Sequence, residues 1–187
     1  MALNGKIIFK EDYNSLNLFL KSIYKHLGLK YSKFFKMDGL SKLAFLAAEI
    51  IINDAKINVE KQNIAIVFSN NASSLETDRK HQNSINNKDN YFPSPAIFVN
   101  TLPNICIGEI SIRHQLKSEN AFFVFNNYNA NFHFTYENSL LFSKKADAVL
   151  SGWVNVDEDT YEAFIYLVSE KGEIEHSKEQ LNKLYKD

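Results

Sequence analysis

The stretch NIAIVFS at residues 63–69 decides the fold class of this 187-residue chain. It is a nearly continuous apolar run of strand length, and such a strand is typical of a sheet that is covered on both faces. Runs rich in apolar and β-favouring residues at 6–10, 120–125, 146–156 and 161–169 predict four more strands. Apolar residues at helical spacing lie between these runs. Strands that alternate with helices indicate a layered α/β fold.

Start and stop signals place the helices between the strands. Ser15 is a capping residue ahead of a helix that reaches about Leu27, and Gly28 stops it. Asp38 precedes a longer helix over residues 39–55. Further helices are predicted over residues 74–85, from 96 to 116 with a break at Pro103, over 133–144 and over 176–186.

Composition excludes several classes of protein. Hydrophobic residues make up 45% and charged residues 23%, so we expect one domain over residues 1–187. The net charge of -1 predicts no nucleic-acid partner. No apolar run predicts a membrane span and no signal peptide is visible, so we expect a cytoplasmic protein. We expect no cofactor and no metal, and we interpret the acidic residues 157–159 as a hydrated turn.

Four stretches, taken in order, resemble the N-terminal half of β-ketoacyl synthases. They are MDGLSKLA at 37–44, the strand 63–69, PAIFVNTLPN at 95–104 with IGEISI after it, and ADAVLSG at 146–152. The resemblance is strongest to divergent synthase-like proteins of aryl-polyene or flexirubin-type pigment pathways. It implies a thiolase-like half fold: one mixed, mostly parallel five-stranded sheet with helices on its faces.

The resemblance also implies that this chain has lost the nucleophile. In these synthases the nucleophilic cysteine ends a strand and opens a buried helix, where the helix dipole favours a thiolate. Counting forward from Ser118 and Glu119, and back from Asp147, places that position at Asn127. An amide cannot ionise to a thiolate or carry an acyl thioester. The catalytic histidines and lysine of the family belong to its other half, so we expect no catalytic residue here.

Two residues keep alternative interpretations. Asn127 is either a helix N-cap, a role that asparagine fills well, or a group that holds a ligand carbonyl or amide. Cys106 is expected to be a small buried apolar residue on a helix. The alternative is a cysteine hydrolase in which Cys106 acts with His133 or His114.

The apolar residues Phe122, Phe123, Val124 and Phe125 indicate an interface. In the family, the strand before the nucleophile pairs with its copy across a two-fold axis, and an apolar edge strand invites such pairing. We expect a homodimer, or a heterodimer with a catalytic synthase, through residues 120–126. These four residues and Asn127 are our candidates for an interface or an acyl pocket. A half-length synthase also leaves one sheet face to be covered, by the last helix or by a partner.

Three functions follow as expectations. The first is a non-catalytic subunit, like a chain-length factor, that shapes an acyl tunnel or holds acyl-carrier protein in fatty-acid- or polyketide-type synthesis. The second is a divergent acyl-chain transferase or condensing enzyme with a rebuilt active site. The third is a separate binding protein for acyl-carrier protein or lipid, which would use the basic and aromatic residues 31–36.

Overall fold

The computed structural model describes residues 1–4, 6–10, 15–55, 59, 61–158, 160–172 and 174–186. Strands and helices alternate along most of these ranges. The strands are β1 (Ala2–Leu3), β2 (Lys6–Ile7), β3 (Ile64–Asn70), β4 (Asn120–Val124), β5 (Ala148–Asp157) and β6 (Thr160–Ser169). The helices are α1 (Leu16–His26), α2 (Gly39–Asp54), α3 (Leu75–Ile85), α4 (Pro95–Val99), α5 (Ile105–His114), α6 (Ala130–Phe142) and α7 (Lys178–Lys186).

The main sheet has four strands in the order β4-β3-β5-β6. β3 pairs in parallel with both β4 and β5, whereas β6 runs antiparallel to β5. The expectation of a mixed, mostly parallel sheet between helices is confirmed, and the expectation of five strands is wrong. Asp159, the last residue of the predicted hydrated turn at 157–159, lies outside the described residues.

The missing fifth strand is the run at residues 6–10. Only Lys6–Ile7 is extended, and it pairs with Ala2–Leu3 in a separate hairpin. The N–H groups of Ile8 and Phe9 both donate to the carbonyl of Met1, at 3.1 and 3.3 Å. Phe9 is buried, and its ring packs against α1. These local bonds and this packing use the backbone and the side chain that a sheet strand would need.

β3 is the centre of the sheet, and every residue in it is buried. Its alternate side chains face opposite layers, as the pleat of a strand requires. Ile64, Ile66 and Phe68 belong to the large core formed with α1, α2 and α5. Ala65 and Val67 belong to a smaller core on the other side, formed with α6. Both faces of β3 are therefore covered by this chain itself.

The helix signals are confirmed with small shifts. The Ser15 and Asp38 side chains accept from the N–H groups of Leu18 and Ser41, and so cap α1 and α2. α6 begins at residue 130 rather than 133, and α7 at 178 rather than 176. Among the described residues, no helix is both long and apolar enough to cross a membrane.

Gly152 allows β6 to pack tightly against β5. Its φ of 147° lies in a region that other residues rarely adopt. A Cβ atom here would lie 2.0 Å from the carbonyl oxygen of Phe164 on the paired strand. The glycine of the ADAVLSG stretch therefore leaves the space that β6 occupies at the middle of the β5–β6 pair.

Candidate functional site

The candidate site is the turn between β4 and α6, where the parallel strands end. The N–H of Phe125 still donates to the carbonyl of Asn70 on β3, at 2.9 Å. The chain then turns through residues 126–129 and enters α6. Beside the turn lies an open concavity of about 430 Å³. Its walls are the turn itself, the first turn of α6 and Asn182 of α7.

Neutral amides dominate the wall of this concavity. Five asparagines line it: Asn126, Asn127, Asn129, Asn131 and Asn182. Each amide both donates and accepts hydrogen bonds, and none ionises. The other lining residues are Phe125, Tyr128 and Ala130. Such a wall can bind carbonyl or amide groups, but it offers no thiol, imidazole or amine as a nucleophile.

The interpretation of Asn127 as the helix cap is wrong. The side chain of Asn129 accepts from the N–H of Phe132 at 3.0 Å and caps α6 instead. α6 therefore begins two residues later than a cap at Asn127 would place it. Asn127 is exposed in the wall of the concavity. A role for Asn127 in holding a ligand stays a prediction.

The alternative of a cysteine hydrolase is also wrong. Cys106 is fully buried in the core on the α2 side of the sheet, where its thiol donates to the carbonyl of Pro103 at 3.0 Å. Burial raises the pKa of this thiol well above its usual range. His133 lies on α6, on the opposite side of the sheet, and His114 lies 3.1 Å from the Glu49 carboxylate. Neither histidine is placed to activate the thiol.

A buried polar cluster lies between α6 and the sheet, next to the turn. His133 and Glu137 are one helical turn apart on α6, and both are fully buried. The Ser69 hydroxyl of β3 lies 2.7 Å from His133 Nε2, and the Ser151 hydroxyl of β5 lies 2.9 Å from His133 Nδ1. Because Ser151 donates to the carbonyl of Val67, it accepts from His133 Nδ1–H. His133 Nε2 is then free to accept from Ser69.

Glu137 continues this cluster toward α7. Its Oε1 accepts from the Tyr166 hydroxyl at 2.8 Å, and its Oε2 accepts from His176 Nε2 at 2.6 Å. The Tyr128 hydroxyl lies 3.0 Å from that of Tyr166 and donates to it, because Tyr166 has given its hydrogen to Glu137. Hydrogen bonds therefore run without a break from the turn to the segment before α7.

The cluster shifts the pKa values of Glu137 and of the two tyrosines that are linked to it. Burial alone would raise the pKa of Glu137, but the polar groups of His133, His176, Ser151 and Tyr166 around its carboxylate outweigh burial and lower the pKa to about 2. Burial raises the pKa of the Tyr128 and Tyr166 hydroxyls, and the Glu137 carboxylate raises both further. Glu137 is therefore an anion inside the protein, and both tyrosines stay protonated.

Comparison with solved structures identifies the fold. No family model matches the sequence, and no curated protein matches it. The ishigamide ketosynthase/chain length factor aligns with a TM-score of 0.67 and 18% identity, over 82% of this chain and 49% of that one. This chain has a ketosynthase-like fold.

Two further solved structures align with this chain and have the same fold. A ketosynthase in complex with its chain length factor from Xenorhabdus doucetiae aligns with a TM-score of 0.58 and 15% identity, over 78% of this chain and 63% of that one. A type II polyketide synthase acyl-carrier protein in complex with its hexaketide-bound ketosynthase aligns with a TM-score of 0.59 and 12% identity, over 75% of this chain and 46% of that one. The chain therefore spans between 46 and 63% of the length of these structures.

In this ketosynthase-like fold, β4 is an open edge of the sheet, and among the described residues it pairs only with β3. The carbonyl of Glu119 and the N–H of Phe125 bond to β3. Because alternate residues of a parallel strand point both backbone groups to the same neighbour, Phe122 and Val124 point theirs to the open side. Val124 is 52% exposed. The edge has backbone groups available for another strand.

The four candidate aromatic and apolar residues do not form one surface. Phe123 and Phe125 stack with each other and contact Phe132 of α6 edge-on, at ring distances of 4.6–6.1 Å. Phe122 packs against the core on the α2 side. The sequence predicted an unprotected apolar run, but α6 covers half of it. What β4 presents to a partner is its backbone edge and Val124.

The remaining sequence candidates are part of the fold's own structure. In the basic stretch at 31–36, Phe34 is fully buried and Lys33 pairs with Glu109 at 2.9 Å. This stretch is therefore a weaker cationic surface than the sequence suggested. Nowhere in the described ranges do three or more histidine, cysteine or acidic side chains gather as a metal site would require.

The buried cluster is the part of this region that sequence reasoning missed. The sequence offers His133 only as a partner for Cys106, and Ser69, Ser151 and Tyr166 stand in it as ordinary strand residues. The one signal for the cluster is the spacing of His133 and Glu137, which places both on one face of a helix. Ser69, His133 and Glu137 resemble a nucleophile, a base and its orienting acid, but all three are 0% exposed. In this conformation no substrate reaches Ser69, and the cluster connects α6 to β3 and β5.

Proposed function

We propose that this chain is a non-catalytic ketosynthase-like subunit that assists a catalytic synthase in fatty-acid- or polyketide-type synthesis. The observation that carries the proposal is the amide-lined turn after β4, where such a synthase needs an ionisable sulfur at a helix N-terminus. The Tyr128 hydroxyl of this turn is held by Tyr166 and kept protonated by burial. No other side chain of the turn can serve as a nucleophile.

The proposed partner is a catalytic synthase, and a second copy of this chain is the alternative. The open edge of β4 supports pairing, because an unpaired strand edge is a template for another strand. The similar structure from Xenorhabdus doucetiae is itself a ketosynthase in complex with a chain length factor. Binding of acyl-carrier protein is part of the same proposal. The cytoplasmic location stays a prediction.

A turnover assay tests the proposal. The purified chain is mixed with acyl-carrier protein carrying malonyl and acyl groups, alone and with a candidate synthase encoded by a neighbouring gene. We expect no condensation by the chain alone, and in the mixture more condensation, or a different product length, than the synthase gives by itself. Condensation by the chain alone would contradict the proposal and support the alternative of a rebuilt acyltransferase.

A substitution at the β4 edge tests the interface. Phe123→Glu would disturb the ring contacts with α6, so a loss of association could not be told from a loss of folding. Val124→Pro removes an N–H that points to the open side and spares the bonds to β3, and proline is tolerated at sheet edges. We expect Val124→Pro to abolish association while Val124→Thr, which keeps the N–H, retains it. Light scattering and pull-down with the synthase measure this, and unchanged association of Val124→Pro would rule out pairing through β4.

A further inference from the structure

The last described helix, α7, rests on the body through a small contact surface. Leu181 is the buried residue of this helix. The Tyr185 ring lies 4.7 Å from that of Tyr128 and 5.5 Å from that of Phe164, and its hydroxyl donates to Glu162 at 3.2 Å. Elements with few buried contacts open locally at low free-energy cost. α7 therefore has the attachment of an element that can lift without unfolding the sheet.

The segment before α7 has one strong polar attachment. The His176 ring packs against Phe134 at 5.0 Å, and its Nε2 donates to Glu137 at 2.6 Å. Glu137 accepts in turn from Tyr166, and Tyr166 from Tyr128. Tyr128 lines the same concavity as Asn182 of α7. The helix thus contacts the concavity directly and is also connected to it through a series of hydrogen bonds.

We propose that α7 is a movable wall of the amide-lined concavity, and that the hydrogen-bonded series Tyr128–Tyr166–Glu137–His176 couples its position to the shape of the turn. When α7 lifts, Asn182 leaves the wall and Tyr128 loses its contact with Tyr185. The buried Glu137 carboxylate loses the donor that His176 supplies, which disfavours the open form. In the open form the rings of Tyr128, Phe134 and Phe164 are uncovered beside the amides. This proposal does not depend on the identity of a partner or on any catalytic activity.

Hydrogen exchange measured by mass spectrometry on the full chain tests whether α7 moves and is coupled to the turn. His176→Phe keeps the ring that packs on Phe134 and removes the donor to Glu137. We expect amide exchange to accelerate about tenfold both in residues 178–186 and in the turn 126–131, because a hydrogen bond to a charged group is lost. Exchange in β3 and β5 should not change. Lys183→Ala, on an exposed position of α7, is the matched control and should leave both segments as they are.

The reciprocal variant decides whether the two segments are coupled. Tyr128→Phe keeps the ring against Tyr185 and removes only the hydroxyl at the far end of the hydrogen-bonded series. Since coupling between two sites is reciprocal, exchange in α7 must also accelerate in Tyr128→Phe. Acceleration confined to one segment, or absent from both variants, would overturn the proposal. If His176→Phe loosens β3 as well, the exchange rates of Tyr128→Phe alone decide between coupling and its absence.

Discussion

The two faces of the sheet are stabilised by different interactions. On the α2 side, the core consists mostly of closely packed apolar side chains such as Leu20, Phe45 and Ile107, beside one buried carboxylate, Glu49, that pairs with Arg113. On the α6 side, His133 and Glu137 are buried as completely as those apolar residues. Apolar burial is non-directional, whereas a buried polar network requires every partner in place. The α2 side therefore supplies most of the stability, and the α6 side fixes the position of the turn, β6 and α7.

The largest expected loss of stability comes from a truncation in the apolar core on the α2 side. Phe45 is 1% exposed, and its ring lies 5.4 Å from Tyr31 and 5.9 Å from Phe34. Phe45→Ala should lower the free energy of unfolding by about 3–5 kcal/mol, from lost burial and the cavity left behind. Urea denaturation measures it. Phe35→Ala, at a ring that is 53% exposed, is the control and should cost clearly less; equal losses would contradict the comparison.

The buried polar network on the α6 side should make the folding stability fall at acidic pH. The pKa of Glu137 is lowered from 4.5 to about 2, so its ionised form favours the folded state. That contribution is complete above about pH 4.5 and is lost as the pH falls toward 2. At about 1.4 kcal/mol for each pKa unit, it amounts to ~3 kcal/mol. Denaturation midpoints measured between pH 6 and 2 give the dependence.

Glu137→Gln is the control for the acid effect. It removes the titrating group and keeps the size of the side chain, with one acceptor oxygen in place of two. The variant should start from a lower stability at pH 6 and lose less between pH 4.5 and 2 than the wild type. If both proteins lose the same free energy over this range, the acid sensitivity arises elsewhere and Glu137 is not its source.

The smallest of these expected losses of stability comes from a substitution at Ser69. Ser69→Ala removes the donor to His133 Nε2 and should cost about 1–2 kcal/mol, as for a buried group left without a partner. Ser139→Ala, on the exposed side of α6, should change stability by less than about 0.5 kcal/mol.

A fluorophosphonate probe should not label Ser69 in the folded wild type. Labelling would show that the serine is reachable and reopen a catalytic interpretation.

The sequence predicted the parts of the fold that depend on local signals. β3 was predictable because its apolar run does not alternate, and a strand buried on both faces has no polar side. α1 and α2 were predictable because Ser15 and Asp38 are capping residues that stand before apolar helical patterns. The prediction of a main-sheet strand at 6–10 was wrong because β propensity does not specify the pairing partner. The partner of this run is the chain's own first residues.

The site was less predictable because its contacts are distant in sequence. Ser69 and His133 are 64 residues apart, and Glu137 and His176 are 39 apart. No local pattern connects such pairs; only the strand order brings them together. The position of Asn127 follows from counting along a resemblance, which locates the turn but not the residue at which the helix begins. That residue is set by the Asn129 cap.

The orientation of β4 has a consequence for how the protein is handled. Each second residue of this strand leaves its N–H and C=O without a partner within the described chain, beside a stack of aromatic rings. Under the proposed pairing with a synthase, a preparation of this chain alone should accumulate multimers that form through this edge. Co-production of the chain with the synthase in matched amounts should reduce them.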